Sequence, residues 1–189
     1  MAETASSSAT WEDLSQTPDD GRVYEIIAGV LEAFPRPSSR HGRAQRSLGA
    51  QVGSPYDDGI DGPGGWWIVV EPDVELRPSD IVAPHLVGWR RERLPDLPAS
   101  GPVRVIPDWV CEFVSPFGQK RDRIVKANLY LETGIPYYWI VDVRERTLEA
   151  LSACEDGWLR LGGWTDGDRP RILPFDAVEI DVSRLFPPR

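Results

Sequence analysis

Three features of this chain predict a mixed α/β domain. Trp109–Val114 is a strand pattern with apolar residues at both parities, a helical pattern follows it, and a second strand pattern returns at Tyr137–Asp142. A strand that is apolar on both faces needs a layer on each side, as in a central mixed sheet flanked by helices. With 189 residues there is room for one domain of ordinary size, burying roughly 70% of the surface that its unfolded form exposes. Residues 1–10 are small and polar and are expected to be disordered, which leaves a single domain over 11–189. Trp11 is the first plausible anchor.

In order along the chain, Val23–Ile27 and Val30–Phe34 read as an N-terminal β-hairpin. Gly29 is available for positive φ at its turn, and Pro35 and Pro37 close it. Ser38 or Ser39 caps a helix expected to reach Gln51, with His41, Ala44, Gln45 and Leu48 on one broad stripe. Residues 54–65, rich in Gly, Pro and Asp, read as a loop. Trp66–Leu76 is a long strand signal interrupted by Pro72, with Glu71, Asp73 and Glu75 on one side and Val70, Val74 and Leu76 on the other. Asp80–Trp89 is another, where Pro84 predicts an edge or a bulge. A charged, proline-rich connection leads to the central strand. Ser115-Pro116 starts a turn, and Gln119–Thr133 has helical character ending at Gly134. Thr147–Ala153 is the expected antiparallel neighbour of Tyr137–Asp142, Gly157–Gly167 suits a hairpin and loop, and the remainder reads as short strands and a tail on the sheet.

Composition excludes several classes. Cys111 and Cys154 lie in apolar or strand-like stretches without CxxC spacing, so buried thiols are expected rather than a bridge or a zinc site. Neither a membrane-length apolar run nor a signal-like N-terminus is present, and a cytoplasmic location is expected. The absence of GxxxxGK[ST] and GxGxxG removes the common nucleotide-binding classes. A formal charge of −9 argues against broad nucleic-acid affinity, which comes mainly from lysines and arginines. Short basic clusters remain at Arg36, Arg40, Arg43 and Arg46, at Arg90, Arg91 and Arg93, and at Lys120–Lys126.

Glu112 is the anomaly of the central strand. It shares a face with Val110 and Val114, where an isolated carboxylate is costly unless a metal, lysine or hydrogen-bond donor receives it. On the helix that follows, Asp122, Lys126 and Tyr130 recur at i, i+4 and i+8 and share a face. A carboxylate and an ammonium near one sheet end suit metal-assisted phosphodiester hydrolysis, in which carboxylates hold a divalent ion and a lysine steadies the nucleophile or the oxyanion. The plain alternative is a surface Asp122–Lys126 ion pair contributing about 0.3–0.5 kcal/mol. His41 and His85 are the only histidines and fall in no ligand spacing. Asp108 could serve a turn hydrogen bond or a metal equally well.

These residues carry a resemblance. Tyr24-Glu25-Ile26-Ile27-Ala28-Gly29, Ser39-Arg40-His41, Pro107–Pro116 with its Glu112-Phe113-Val114-Ser115-Pro116, Asp122-x-x-x-Lys126-x-x-x-Tyr130 and Gly134–Asp142 together resemble the Uma-type putative restriction endonuclease family of the PD-(D/E)xK nuclease superfamily. The likeness spans about residues 11–155 and implies a restriction-endonuclease-like core, a divalent metal ion (Mg²⁺ or Mn²⁺), DNA as substrate and hydrolysis of its phosphodiester bonds. It also implies that Glu112 is the metal-binding strand glutamate. Val114 stands where the superfamily usually has lysine, and Lys126 is the lysine supplied from the helix. Glu25 and His41 match positions around the same pocket, and Asp122 and Tyr130 join them as support.

The departure is His85, in Pro84-His85-Leu86-Val87-Gly88-Trp89, where relatives carry an aspartate. The imidazole removes a hard oxygen ligand but leaves a nitrogen acceptable to Mn²⁺, Zn²⁺ or Fe²⁺. Three outcomes are open: a changed metal preference with His85 and Glu112 as ligands, substitution by Glu71, Asp73 or Asp80, or a catalytically inactive nuclease-fold protein acting as a nucleic-acid or protein binding module. For an active enzyme a basic rim of Arg40, Arg43, Arg121 and Arg123 is expected to meet DNA, and a homodimer suits cleavage of both strands.

Overall fold

The protein is described by a computed structural model over residues 8–35, 38–114 and 118–188. The expectations for residues 1–7, Arg36, Pro37 and the turn at Ser115-Pro116 lie outside these residues. Thr10, which the sequence reading placed in the disordered segment, caps the short helix α1 (Trp11–Ser15) through a reciprocal capping box with Asp13. Ala9 donates its N–H to Gly29 O at 2.9 Å.

The N-terminal hairpin is present as β1 (Arg22–Ile27) and β2 (Val30–Pro35). Its two-residue turn has positive φ at both Ala28 (52°) and Gly29 (77°), the geometry that matches strand twist but is unfavourable for alanine. Asp80 holds that turn by accepting the Ala28 N–H at 2.7 Å.

Helix α2 runs Ser39–Tyr56 with Ser38 as its N-cap. It passes Gln51 and takes in Ser54, Pro55 and Tyr56, which the composition had assigned to the loop. Tyr56 is buried against Phe175, with ring centroids 4.7 Å apart, so packing overrides the local breakers. The expected stripe of His41, Ala44, Gln45 and Leu48 is buried.

The two long strand signals that follow each divide at their proline. Residues 66–76 form β3 (Trp66–Val70) and β4 (Val74–Arg77), and residues 80–89 form β5 (Asp80–Val82) and β6 (Leu86–Arg90). β3 pairs antiparallel with β6, and β4 with β5. The whole is one long hairpin bent at Pro72 and Pro84, its base in one sheet and its tip in another. Glu71 takes φ +49° at the bend.

The central strand is β7 (Trp109–Val114), buried along its whole length. A helical segment follows, with π-helical geometry over Arg121–Lys126 continuing into α3 (Ala127–Glu132), and β8 (Tyr137–Asp142) returns parallel to β7. β9 (Thr147–Cys154) and β10 (Gly157–Thr165) complete the six-stranded sheet β10-β9-β8-β7-β6-β3. The smaller sheet has the order β2-β1-β5-β4. After β10 the chain packs as a tail with a single 3₁₀ turn at Val182–Leu185, rather than as further strands.

Parity along β7 sorts the core as expected. Trp109, Cys111 and Phe113 join α2 and the tail residues Ile172, Phe175, Ile180 and Val182 on one face. Val110 and Val114 join Val74, Val82, Leu129 and Tyr130 on the other. Cys111 is buried as expected, whereas Cys154 near the end of its strand is exposed. Among the described residues no helix is long and apolar enough to cross a membrane.

Gly88 in β6 lies where a Cβ would meet Trp109, Ile68 and Trp66 at 3.2–3.3 Å. Gly88→Val is expected to overpack this crossing and destabilise by about 2 kcal/mol. Urea unfolding should show an earlier midpoint with an unchanged slope.

Candidate active site

The site is assembled where the two sheets meet. β1 brings Glu25, β7 brings Glu112, the π-helical turn brings Arg121, Asp122 and Lys126, and α3 brings Tyr130. His85 arrives on the bend before β6. The register Leu86↔Cys111, carried one step further, sets residue 85 opposite residue 112, and strand alternation gives both the same face.

Lys126 is fully buried. Its Nζ donates to Glu25 Oε1 at 2.7 Å and to Glu112 Oε1 at 2.9 Å. Tyr130 Oη donates to the same Glu112 oxygen at 2.6 Å. The other oxygen, Oε2, accepts the His85 backbone N–H at 3.4 Å and is in contact with His85 Nδ1. The Phe113 N–H is directed at that same Nδ1, 3.3 Å away. Thus Asp122 is not the partner of Lys126, and the surface ion pair weighed above does not form. Asp122 is itself buried, and its carboxylate lies 3.3 Å from Arg121 Nε.

The electrostatics follow from this packing. Burial works against the ionised Glu112 carboxylate, but Lys126, His85 and the Tyr130 hydroxyl outweigh it and hold the group below its usual range. Burial likewise opposes the Lys126 ammonium, and Glu112 and Glu25 overcome it, so the lysine stays charged. Asp122 is pushed up by burial and by Glu112. Tyr130 is raised for the same two reasons.

His41, in the first turn of α2, packs its ring 4.4 Å from that of His85 and 5.5 Å from that of Phe113, centroid to centroid. Burial, with His85 beside it, lowers its pKa to about 3, so it is neutral at physiological pH. Its Nε2 is buried without a hydrogen-bond partner, and so is Glu25 Oε2.

The profile of the Uma2 family, described as "Putative restriction endonuclease", matches residues 11–183. This chain belongs to that family. Its fold is similar to a crystal structure of a putative nuclease of the DUF820 family from Anabaena variabilis, with a TM-score of 0.76 at 16% identity over 94% of this chain and 97% of that one. No curated protein matches the chain.

All seven of the residues singled out in the Uma2-like pattern, Glu25, His41, His85, Glu112, Asp122, Lys126 and Tyr130, come together. The acids considered as replacements for the usual aspartate fare differently. Asp80 is engaged by Ala28 N–H, Arg77 and Ser79, and Glu71 accepts from Gln45 Nε2 at 3.0 Å. Asp73 is raised by burial and by Glu25. Asp108 stands at the opposite end of β7 from the cluster, accepting from Arg90 N–H and Arg93. Among the described residues no three His, Cys, Asp or Glu side chains are grouped as a ready-made metal cage.

Arg121 is the member that sequence reasoning misassigned. Rather than forming part of a DNA-facing rim, it lies 3.4 Å from Glu25 Oε2 and stacks over the Phe34 ring at 3.6 Å. Arg123 is similarly engaged, by Gln119, Asp142 and Glu149.

Lys126→Met would leave two buried carboxylates without their cation. A loss of about 3–5 kcal/mol is expected, and adding Glu112→Gln to it should recover part of that loss. Urea unfolding of the single and double variants checks both.

Proposed function

We propose that this Uma2-family protein is a metal-dependent endonuclease that hydrolyses DNA phosphodiester bonds, with the Glu112 cluster as its active site. The observation that carries the reading is the fully buried Lys126, bonded to Glu25 and Glu112. Burying such a set of charges costs several kcal/mol per ion and rarely improves on apolar packing, so a chemical role is the better account of its presence.

Two side chains, Glu112 and His85, are available as donors to a divalent ion. Lys126 and Tyr130 occupy Glu112 Oε1, which leaves Oε2 beside His85 Nδ1. His85 Nδ1 lies against that oxygen and near the Phe113 N–H, so an ion bound there would take the place of the contact between imidazole and carboxylate. Glu112 and His85 would hold it, with water and substrate oxygens as the remaining ligands. When bound, such an ion supplies an activated water and takes up charge on the phosphate.

The chain's own residues have separate tasks. Tyr130 and Lys126 fix the Glu112 carboxylate and keep it ionised, so it serves as a ligand and not as a proton acceptor. Lys126, which retains its proton, supplies a positive charge for the negative charge that develops on the phosphate. Arg121 balances Glu25. DNA contact falls to Arg40 and Arg46, which are exposed on α2, with Arg43 beside them. A two-fold dimer would offer one site to each strand.

One observation favours a second reading, an inactive nuclease fold that binds nucleic acid or a protein. With His85 in place of the aspartate, a proton on Nδ1 could itself satisfy Glu112 Oε2. Cleavage of supercoiled and linear DNA with Mn²⁺ and with Mg²⁺ separates the two. Metal-dependent nicking is expected, abolished by Glu112→Gln and reduced by two orders of magnitude or so by Lys126→Met. DNA binding without cleavage in any metal would favour the second reading.

With so narrow a basic rim, DNA affinity is expected to fall steeply between roughly 50 and 300 mM salt. Fluorescence anisotropy with a labelled duplex measures it. Unchanged affinity across that range would remove Arg40, Arg43 and Arg46 as the docking surface.

A further inference from the structure

We propose that strand β2 is a homodimer interface, its free edge pairing antiparallel with β2 of a second copy of this chain so that each copy sets its Glu32 beside the other's Arg121. The inference goes beyond the catalytic reading above and stands or falls separately from it.

A difference among the sheet edges carries it. An unpaired strand edge invites pairing with another chain, and folded proteins usually blunt such edges. The edge of β3 is closed by side chains, since Asp57 accepts the Ile68 N–H at 3.1 Å and Arg91 donates to the Trp66 carbonyl at 2.9 Å. The edge of β4 is covered by Val103, which accepts the Glu75 N–H and donates to the Asp73 carbonyl, each at 2.9 Å. β10 is broken by a bulge between Arg160 and Gly162, and its Thr165 N–H is taken by Asp168. β2 has none of these protections: among the described residues it pairs with β1 alone. It is also apolar at its start, with Val30 55% and Leu31 36% exposed.

Backbone parity and charge select a second copy as the occupant and fix the register. The two-residue turn makes Ile27↔Val30 a bonded pair, so Val30, Glu32 and Phe34 direct their N–H and C=O groups at β1, while Leu31 and Ala33 direct theirs outward. A two-fold register centred on Glu32 would set like carboxylates directly opposite one another, which is destabilising. One centred on Leu31 would need Gly29, whose N–H and carbonyl are already committed to Ser79 and Ala9. Centred on Ala33, the copies exchange both Ala33 bonds, and each Leu31 N–H meets the carbonyl of Pro35 of the partner subunit, which needs no N–H there. Glu32 of the partner subunit then stands opposite Phe34, with Cβ atoms about 5 Å apart. Phe34 carries the Arg121 guanidinium 3.6 Å above its ring, so the carboxylate meets a cation. Arg121 lies 3.4 Å from Glu25 Oε2, and the contact therefore reaches the Glu112 cluster through one side chain. Val30, Glu32 and Phe34 share the face of Glu25, and an axis normal to the sheet sets both clusters on the same side, their Glu25 residues roughly 15 Å apart.

Analytical ultracentrifugation of the full chain over roughly 1–100 µM, with hydrogen exchange read at single amides, tests the interface. A dimer is expected, with the Leu31 and Ala33 amides gaining protection as concentration rises. Ala33→Pro deletes only an outward donor, a change that edge strands tolerate, and should leave a folded monomer by circular dichroism. Glu32→Arg, at an exposed side chain, should weaken association about tenfold because the contact occurs twice, and it serves as the test should the proline variant not fold. A wild type that stays monomeric throughout the range would overturn the proposal, whether its Leu31 and Ala33 amides exchange freely or are protected by another segment of the same chain. So would a dimer whose affinity neither variant changes and whose β2 amides exchange as fast as in the monomer, since a different surface would then join the copies.

Discussion

Lys126 carries a positive charge with no access to water, and the rest of the structure is organised around that constraint. An ammonium in such a place is tolerable only against opposite charge at hydrogen-bond distance. The two carboxylates that supply it come from different sheets, Glu25 from β1 and Glu112 from β7. The lysine therefore fastens the small sheet to the large one at the point where the π-helical turn crosses them. π-Geometry within a helix occurs mostly as single turns and frequently at functional sites. Here it spans the segment that presents Arg121, Asp122 and Lys126.

The same junction explains the bent hairpin. A straight pair of strands over 66–90 would extend the six-stranded sheet and leave the acids of β1 and β7 in separate layers. Breaking both strands at Pro72 and Pro84 lets the tip pair with β1, through Ile26↔Ile81, while the base stays paired with β7. Ala83 N–H then donates to Glu25 Oε1 at 2.9 Å, so the oxygen that receives Lys126 is also held by the bend. His85 lies two residues further on. The prolines, the buried glutamate and the histidine thus belong to one local solution.

Much of this was legible in the sequence, for identifiable reasons. The two-faced apolar strand, its single acid and the i, i+4, i+8 series on the next helix are local patterns, and they gave the central strand, the crossover and the placement of Glu112 and Lys126 near one sheet end. What could not be read was anything decided by long-range contact. Helix α2 outruns its glycines and Pro55 because Tyr56 has the Phe175 ring to pack against, more than a hundred residues away. Pro72 and Pro84 announced interruptions but not that the chain changes sheets there. Arg121 and Arg123 looked like solvent-facing charges because their partners, Glu25, Asp142 and Glu149, lie on other elements. Asp122 looked like the natural mate of Lys126 because it is four residues away, yet the acids that bind it are Glu25 and Glu112, 101 and 14 residues distant.

Charge balance constrains what residue 85 can be. Glu25 and Glu112 face Lys126 and Arg121, charge for charge, and Asp122 is left as the extra acid, its carboxyl pushed up by burial and by Glu112. An aspartate at 85 would add another carboxylate against Glu112 Oε2 with no side-chain cation left to meet it. Such a cluster would depend on an external cation for its stability. Histidine removes that dependence, because a neutral imidazole adds no charge and a protonated one compensates Glu112. At this position histidine therefore adds no uncompensated negative charge to the junction between the sheets.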